Sequence, residues 1–342
     1  GWMDQPSRIG DRIAKLIGAE PGSVVMGDTL SIKVYQALAS ALEMNRAGRV
    51  ILSDTGNFPS DLYMAEGLCR TLGNGYTLRT VAPEDLADAI DETIAVTLIT
   101  EADYRTGQKH DMAALTAKAH ANGALTVWDL AHSAGAFPVH LAACKADFAV
   151  GCTYKYLNSG PGGPAFIYVA PRHADVARPA LSGWLGHEAP FAFDQSYRPG
   201  AGIERMRVGT PPVLQLAALE SALDIWDHAD IEEVRTQSLA LTDRFIAGVE
   251  AACPTLTLAT PRDHAHRASQ VSFRHPDGYA IMQALIARGL IGDFRSPDIL
   301  RFGFTPLYIG LNDVNRAVEI LSDVLANALW DDPKYKTRAK VT

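Results

Sequence analysis

Between about residues 23 and 170, short apolar runs alternate with Ala- and Leu-rich stretches, and this alternation leaves the chain few ways to fold. The apolar runs at 49–53, 94–100, 124–129, 148–153 and 164–169 read as strands, and 31–45, 59–71, 83–90 and 112–121 read as helices between them. The runs are apolar at nearly every position, so each strand is expected to be covered on both faces. Buried strands separated by crossover helices make a mainly parallel sheet flanked by helices, an α/β fold. Ligands of such sheets bind at the carboxyl ends of the strands. Polar residues stand at four of those ends: Asp54, Thr100, Asp129 and, just past 148–153, Lys155.

The rest of the chain is organised around this sheet. A short helix is expected near the start, over about 7–17, and a long irregular stretch over 172–212 is rich in Pro, Gly and aromatic residues. Gly209-Thr210-Pro211-Pro212 carries the start signal for a helix over 213–228, and a second helix follows over 231–252. A shorter β/α segment comes next, with strands at 255–259, 270–274 and 299–304 and helices at 279–288 and 312–327. This predicts a large domain over 1–212 and a smaller α/β domain over 213–342, with a polar tail from Asp331 expected to fray.

Net charge and cysteine spacing narrow the function. The formal charge of -8 argues against a nucleic-acid or anionic-membrane surface, and no apolar run is long enough to span a bilayer. Cys69, Cys144, Cys152 and Cys253 form no C-x-x-C pair and no zinc spacing with His, so no metal is expected. They read as thiols of a reducing compartment, with the cytoplasm as the default.

Two strand ends carry the chemistry. Lys155 follows Thr153-Tyr154, and a lysine at the end of a buried strand can form a Schiff base if desolvation frees its amine. A solvated loop lysine is the commoner fate. Asp129 ends the preceding strand, where a carboxylate drawn into apolar surroundings needs a cation, such as the ring nitrogen of pyridoxal phosphate. The plainer alternative is that Asp129 caps a helix beginning at Leu130. His132 could stack beside such a ring or be a satisfied core histidine. Phosphate would suit the helix start at Thr29-Leu30-Ser31, which is equally readable as an ordinary cap. Phe58 precedes the helix start Pro59-Ser60-Asp61 and could stack on a planar ring, although core packing is the default for Phe. Ser159-Gly160-Pro161-Gly162-Gly163 has no phosphate-loop pattern and reads as a tight turn. Arg301, in an apolar run, is either a surface charge or a bidentate clamp for a carboxylate.

Together these residues resemble the kynureninases, fold-type-I pyridoxal-phosphate enzymes of the class V aminotransferase superfamily. The resemblance covers nearly the whole chain. It rests on Phe58-Pro59-Ser60-Asp61, Tyr104-Arg105-Thr106-Gly107-Gln108, Trp128-Asp129-Leu130-Ala131-His132, Tyr154-Lys155-Tyr156-Leu157-Asn158, Leu181–187 and Arg301 with Pro306-Leu307-Tyr308. It implies that Lys155 holds pyridoxal 5'-phosphate and shuttles the Cα proton, with Tyr154 as acid/base. Asp129 would pair with the ring nitrogen beside His132, and Phe58 would stack on the ring. Leu30, Ser31, Asp61 and Tyr154 would surround the phosphate, with Thr100 as a further cofactor contact. Trp184 and Thr210 would reach the neighbouring subunit's cofactor, which implies a homodimer with shared active sites, and Arg301 would hold the substrate α-carboxylate. The implied reaction is hydrolysis of L-kynurenine, or its 3-hydroxy form, to an anthranilate and L-alanine, a step of tryptophan catabolism. The family has a leading arm before the point where this chain starts, at Gly1-Trp2-Met3, and that arm contributes to the substrate pocket.

Three rivals remain at this level. A cysteine desulfurase or selenocysteine lyase needs a reactive cysteine on a mobile loop, and Cys253 looks instead like a helix-end thiol. A class V aminotransferase would need a second amino acceptor. An interaction protein that kept only the fold would have no use for intact Asp129, Tyr154, Lys155 and Arg301.

Overall fold

The computed structural model describes residues 1–338. They divide into two compact units, one of residues 1–102 and 110–229, the other of residues 103–109 and 230 onward.

The first unit is built on a seven-stranded sheet. In chain order its elements are α1 (Gln5–Leu16), β1 (Val24–Gly27), α2 (Leu30–Met44), β2 (Val50–Asp54), α3 (Pro59–Leu72), β3 (Thr77–Val81), β4 (Ile94–Thr100), α4 (Met112–Ala121), β5 (Leu125–Asp129), β6 (Phe148–Cys152), β7 (Ala165–Val169) and α5 (Val213–Leu223). The strand order is β1-β7-β6-β5-β4-β2-β3. β3, β2, β4, β5 and β6 run parallel, while β7 is antiparallel to both of its neighbours, so the expected mainly parallel sheet is present. β4, β6 and β7 are buried at every position, which is why their sequences show no alternation. α2 lays Val34, Ala37, Leu38 and Ala41 against Val96, Val127, Phe148 and Ile167 of the sheet, and burying a side chain the size of Val34 or Leu38 stabilises by roughly 1.5–3 kcal/mol.

Several local expectations are corrected. Residues 83–90 form only a three-ten turn, Pro83–Asp85, followed by hydrogen-bonded turns; Leu86 and Ile90 have helical spacing but reach the core without a continuous helix. β1 and β3 were not foreseen, and β3 is half exposed with no apolar run to betray it. The 213–228 helix stops at Leu223 and continues as a three-ten turn over Asp224–Asp227.

The sequence has α5 opening the second domain, whereas the structure groups it with the first unit. Arg12 of α1 holds this region: Nη1 donates to the Glu220 carbonyl at 3.0 Å, and Nη2 meets Asp224 at 3.0 Å and Asp227 at 2.9 Å.

The second unit contains α6 (Ile231–Ala252), β8 (Thr257–Leu258), β9 (Gln270–Arg274), α7 (Gly278–Ile286), β10 (Asp293–Arg295), β11 (Ile299–Gly303), α8 (Leu311–Ala326) and α9 (Pro333–Lys336). Its antiparallel sheet has the order β10-β11-β9-β8. Phe245 of α6 is the hub of its core, with ring centroids 6.1 Å from Phe273, 5.1 Å from Phe302 and 5.2 Å from Phe304. Residues 103–109, which follow β4 in the chain, are stitched into this unit. Gln270 Nε2 donates to the Asp103 carbonyl at 3.0 Å, Thr260 Oγ1 to that of Thr106 at 2.7 Å, and Ala268 N to that of Gly107 at 2.8 Å. Gly107 has φ +72°, and a Cβ there would lie 2.8 Å from Gln270 Cγ, so this crossing needs glycine. The tail expected to fray is ordered in part: α9 is capped by the Asp332 side chain. Its last residues, 339–342, lie outside the described residues.

Candidate active site

The carboxyl ends of β4, β5 and β6 lie side by side. Thr100 is in register with Asp129, and Asp129 with Val150, so a parallel ladder sets the spacing of the site. Asp129 is buried, and its Oδ1 accepts from Ala131 N at 2.8 Å. The cap alternative therefore has its hydrogen bond but not its helix, because residues 131–136 are tight turns. Gly135 makes these turns possible: it has φ +81°, and a Cβ would sit 2.9 Å from the Tyr156 carbonyl. The turn carrying buried His132 is thus pressed against the backbone next to Lys155.

Past β6 the chain turns sharply. Asn158 N donates to the Lys155 carbonyl at 3.0 Å and Ser159 N to that of Thr153 at 3.1 Å, fixing Tyr154 and Lys155 at the strand end. The 159–163 segment forms the expected turn, with Gly163 N donating to the Gly160 carbonyl at 3.1 Å. Lys155 Nζ lies 5.8 Å from the Tyr154 ring centroid. The Tyr154 phenol is pushed above its ordinary range by burial, by Cys152, and by the carboxyls of Asp129 and Asp61, so it is held protonated. The sequence marks Cys152 only as a thiol, whereas the structure sets it inside the site. Its Sγ donates to the Ala131 carbonyl oxygen at 3.9 Å. Its place three residues before Lys155 was the signal available in the sequence.

Asp61, in the first turn of α3, is buried as well, and its Oδ2 has no hydrogen-bond partner. Burial and the neighbouring Asp129 drive its pKa well above the carboxylate range, while Lys155 draws it down. Burial pushes the Asp129 carboxyl up to about 6, against the opposing pull of Lys155 and the Ala131 amide. Two buried acids beside a single amine are short of positive charge. A protonated ring nitrogen supplies such a charge, so these residues fit pyridoxal phosphate.

The helix starts complete the fit. Ser31 Oγ of α2 and Ser60 Oγ of α3 are 2.8 Å apart, which joins the two N-termini. Neither Thr29 nor Phe58 caps its helix with a side chain. The ordinary-cap reading of Thr29 therefore fails, and first-turn amides remain for an anion at Leu30 and Ser31. Phe58, at the start of α3, is 39% exposed, so it is not the core residue that a Phe is by default. Thr100 is buried and turns its hydroxyl to the Ala102 carbonyl at 3.1 Å.

Three residues belong to other parts of the chain. Trp184 lies on a three-ten turn, edge-on to Phe191 with centroids 5.7 Å apart, and Thr210 is exposed. Arg301, on β11 of the second unit, is mostly buried and fully engaged at one edge: its Nε donates to Asp293 Oδ1 at 2.8 Å. It is therefore not a surface charge.

A family model described as the kynureninase C-terminal domain matches residues 234–321. Kynureninases of Pseudomonas fluorescens and Burkholderia pseudomallei (strain 1106a) are each 51% identical to the chain, covering 100% of it and 84% of the relative. Among solved structures, a cysteine desulfurase from Thermococcus onnurineus NA1 superposes with a TM-score of 0.78 at 20% identity, covering 94% of this chain and 84% of that one. A C-DES mutant with glycine covalently linked to its PLP cofactor gives a TM-score of 0.80 at 19% identity, covering 94% and 86%. At such identities the likeness establishes the fold, that of the fold-type-I pyridoxal-phosphate enzymes.

Proposed function

The chain belongs to the kynureninase family, and on that premise we propose how its residues serve the family's reaction. The protein is a pyridoxal-phosphate enzyme that hydrolyses the Cβ–Cγ bond of L-kynurenine, or of its 3-hydroxy form, to an anthranilate and L-alanine. The observation that carries the assignment of roles is the pair of buried carboxyls, Asp129 at the end of β5 and Asp61 in the first turn of α3, set against Lys155 just past β6.

When bound, pyridoxal phosphate supplies a conjugated acceptor for the electron pair released at Cα. Lys155 would hold the cofactor, and its Nζ would take the Cα proton of the substrate. Asp129 would keep the proton on the ring nitrogen, with His132 beside it. After water has added to the γ-carbonyl, Tyr154, held protonated, would give its phenolic proton to Cβ as the bond to Cγ breaks, and the hydroxyl proton released as the hydrated carbonyl becomes a carboxyl would restore the phenol. Leu30 and Ser31 at the start of α2, with Asp61 and Tyr154, would surround the phosphate, Phe58 would stack on the ring, and Thr100 would line the cofactor beside Asp129. Arg301 holds the α-carboxylate.

The active unit is a homodimer in which Trp184 and Thr210 serve the partner's site. Their exposure in the single chain suits that role, as do the exposed Phe191 and Phe193 beside Trp184. Among the described residues, no helix is long and apolar enough to cross a membrane. None of the four cysteines is in a disulfide, which suits a reducing compartment, and we place the enzyme in the cytoplasm. The net charge of -8 disfavours a nucleic-acid partner.

The desulfurase reading lacks its nucleophile. Cys253 ends α6, is buried, and has its thiol pushed up to about 11 by that burial, which leaves it unreactive near neutral pH.

The test is turnover of L-kynurenine by the chain with pyridoxal phosphate, followed by anthranilate fluorescence, beside Lys155→Ala. Turnover that Lys155→Ala abolishes, together with the visible cofactor absorbance, supports the assignment. An absorbance band that survives the substitution removes Lys155 from its role.

A further inference from the structure

The guanidinium of Arg301 does not find its orientation alone. Asp293 of β10 lies directly opposite it in the antiparallel register with β11. The two side chains meet edge to edge: Nε donates to Oδ1 at 2.8 Å and Nη2 donates to Oδ2. Nη1 donates to the Tyr104 carbonyl, so the fork is tied both to a neighbouring strand and to the stitched 103–109 segment. Such a bidentate pair fixes the plane of a guanidinium, which the flexible Arg side chain cannot do for itself.

A carboxylate beside the substrate's own carboxylate would ordinarily weaken the clamp by cancelling its charge. Arg295, two residues along β10, answers this. Its Nη2 donates to the same Asp293 Oδ2 at 3.1 Å, so two guanidiniums share one carboxylate and the cluster keeps a positive charge in excess. Arg295 Nε is buried and has no hydrogen-bond partner, so the side chain is held there for its charge rather than by a complete set of bonds.

We infer that Asp293 is a positioning residue for substrate-carboxylate recognition, orienting Arg301 while Arg295 offsets its charge. This rests on the reading of Arg301 as the α-carboxylate clamp. Sequence reasoning did not single out Asp293 or Arg295, because their meaning depends on the β10–β11 register.

The experiment is a double-mutant cycle on the cofactor-loaded enzyme with L-kynurenine, using Asp293→Asn, Arg301→Gln and the pair. Loss of a charged hydrogen-bonding partner predicts that Asp293→Asn raises KM by about ten- to a hundredfold. Its kcat should stay within about threefold and its cofactor spectrum should be unchanged. Adding Asp293→Asn to Arg301→Gln should cost little more, because there is then no fork left to orient. Asp293→Glu, which keeps the charge, should recover part of the KM and guards against a folding defect in the Asn variant.

If Arg301→Gln raises KM and Asp293→Asn does not, the positioning role falls and the clamp stands. If the two effects simply add, Asp293 acts independently of Arg301 and the inference is overturned. If Arg301→Gln leaves KM unchanged, the clamp reading fails and the inference goes with it.

Discussion

Replacing Asp147 should destabilise the protein without touching catalysis. Asp147 stands immediately before β6, with its side chain 2% exposed, and accepts five hydrogen bonds. The donors are Thr126 N at 2.8 Å, Thr126 Oγ1 at 3.1 Å, His120 Nε2 at 2.8 Å, His173 Nε2 at 2.8 Å and Arg172 Nη2 at 2.6 Å. Burial alone would raise this carboxyl, but the hydrogen bonds from His173 and His120, the nearby His120 charge and the Thr126 amide outweigh it and hold it far below the carboxylate range.

In Asp147→Ala the buried Thr126 amide loses its acceptor, at about 1–3 kcal/mol. The bond from the mostly buried His173 adds roughly 1.5–3 kcal/mol. His120 and Arg172 are 32% and 44% exposed and can turn to water, so they add little. The total is about 3–5 kcal/mol. Lys155 follows the opposite end of β6, about 17 Å of strand away, so kcat per folded molecule should hold.

The assay is urea unfolding of the cofactor-loaded protein by circular dichroism across pH, with kcat measured alongside. A carboxyl whose pKa falls on folding contributes stability that is complete above its unfolded pKa of about 3.9 and is lost as pH drops through the folded value. The gap between Asp147→Ala and the parent should therefore be constant from pH 7 to about 5 and close below about 4. Coincident midpoints at pH 7, a gap undiminished in acid, or a fall in kcat would each refute the reasoning.

Three further outcomes follow from the same geometry. Asp129 is raised to about 6 by burial, so without cofactor its stability contribution is present in acid and lost as pH rises through about 6. Asp129→Asn should then stabilise the cofactor-free protein at pH 8 by about 2–3 kcal/mol while weakening pyridoxal phosphate binding. Thermal melts with and without cofactor check this, and an unchanged or lower cofactor-free midpoint counts against it. Tyr154→Phe should lower kcat by about 10²–10⁴-fold with the cofactor absorbance intact, and a parental kcat would remove Tyr154 as the acid. Phe245→Ala opens the core of the second unit and should cost about 3–5 kcal/mol, read as a shift in the urea midpoint.

The strands, most helices and the strand-end chemistry were written locally. A strand buried on both faces must be apolar throughout, so β4, β5 and β6 announce themselves, and Asp129 and Lys155 stand out as the polar groups that end such runs. Where burial is partial, the local signal fades: β1 is short, β3 is half exposed, and neither was legible. Local pattern also misled at 83–90, where helical spacing of Leu86 and Ile90 serves only turns, and after Asp129, where a cap-like hydrogen bond opens no helix.

Local composition marks which residues can do chemistry and roughly where along the sheet they end. What surrounds them is set by folding. The reversed direction of β7, the meeting of Ser31 with Ser60 and the five donors on Asp147 all come from segments distant in the chain. So does the pressing of buried Asp61 toward Asp129 and Lys155. The facing of Asp293 and Arg301 depends on strand register, which neither residue encodes alone. Burial, charge and hydrogen-bond satisfaction are properties of neighbours in space, and only folding supplies those neighbours.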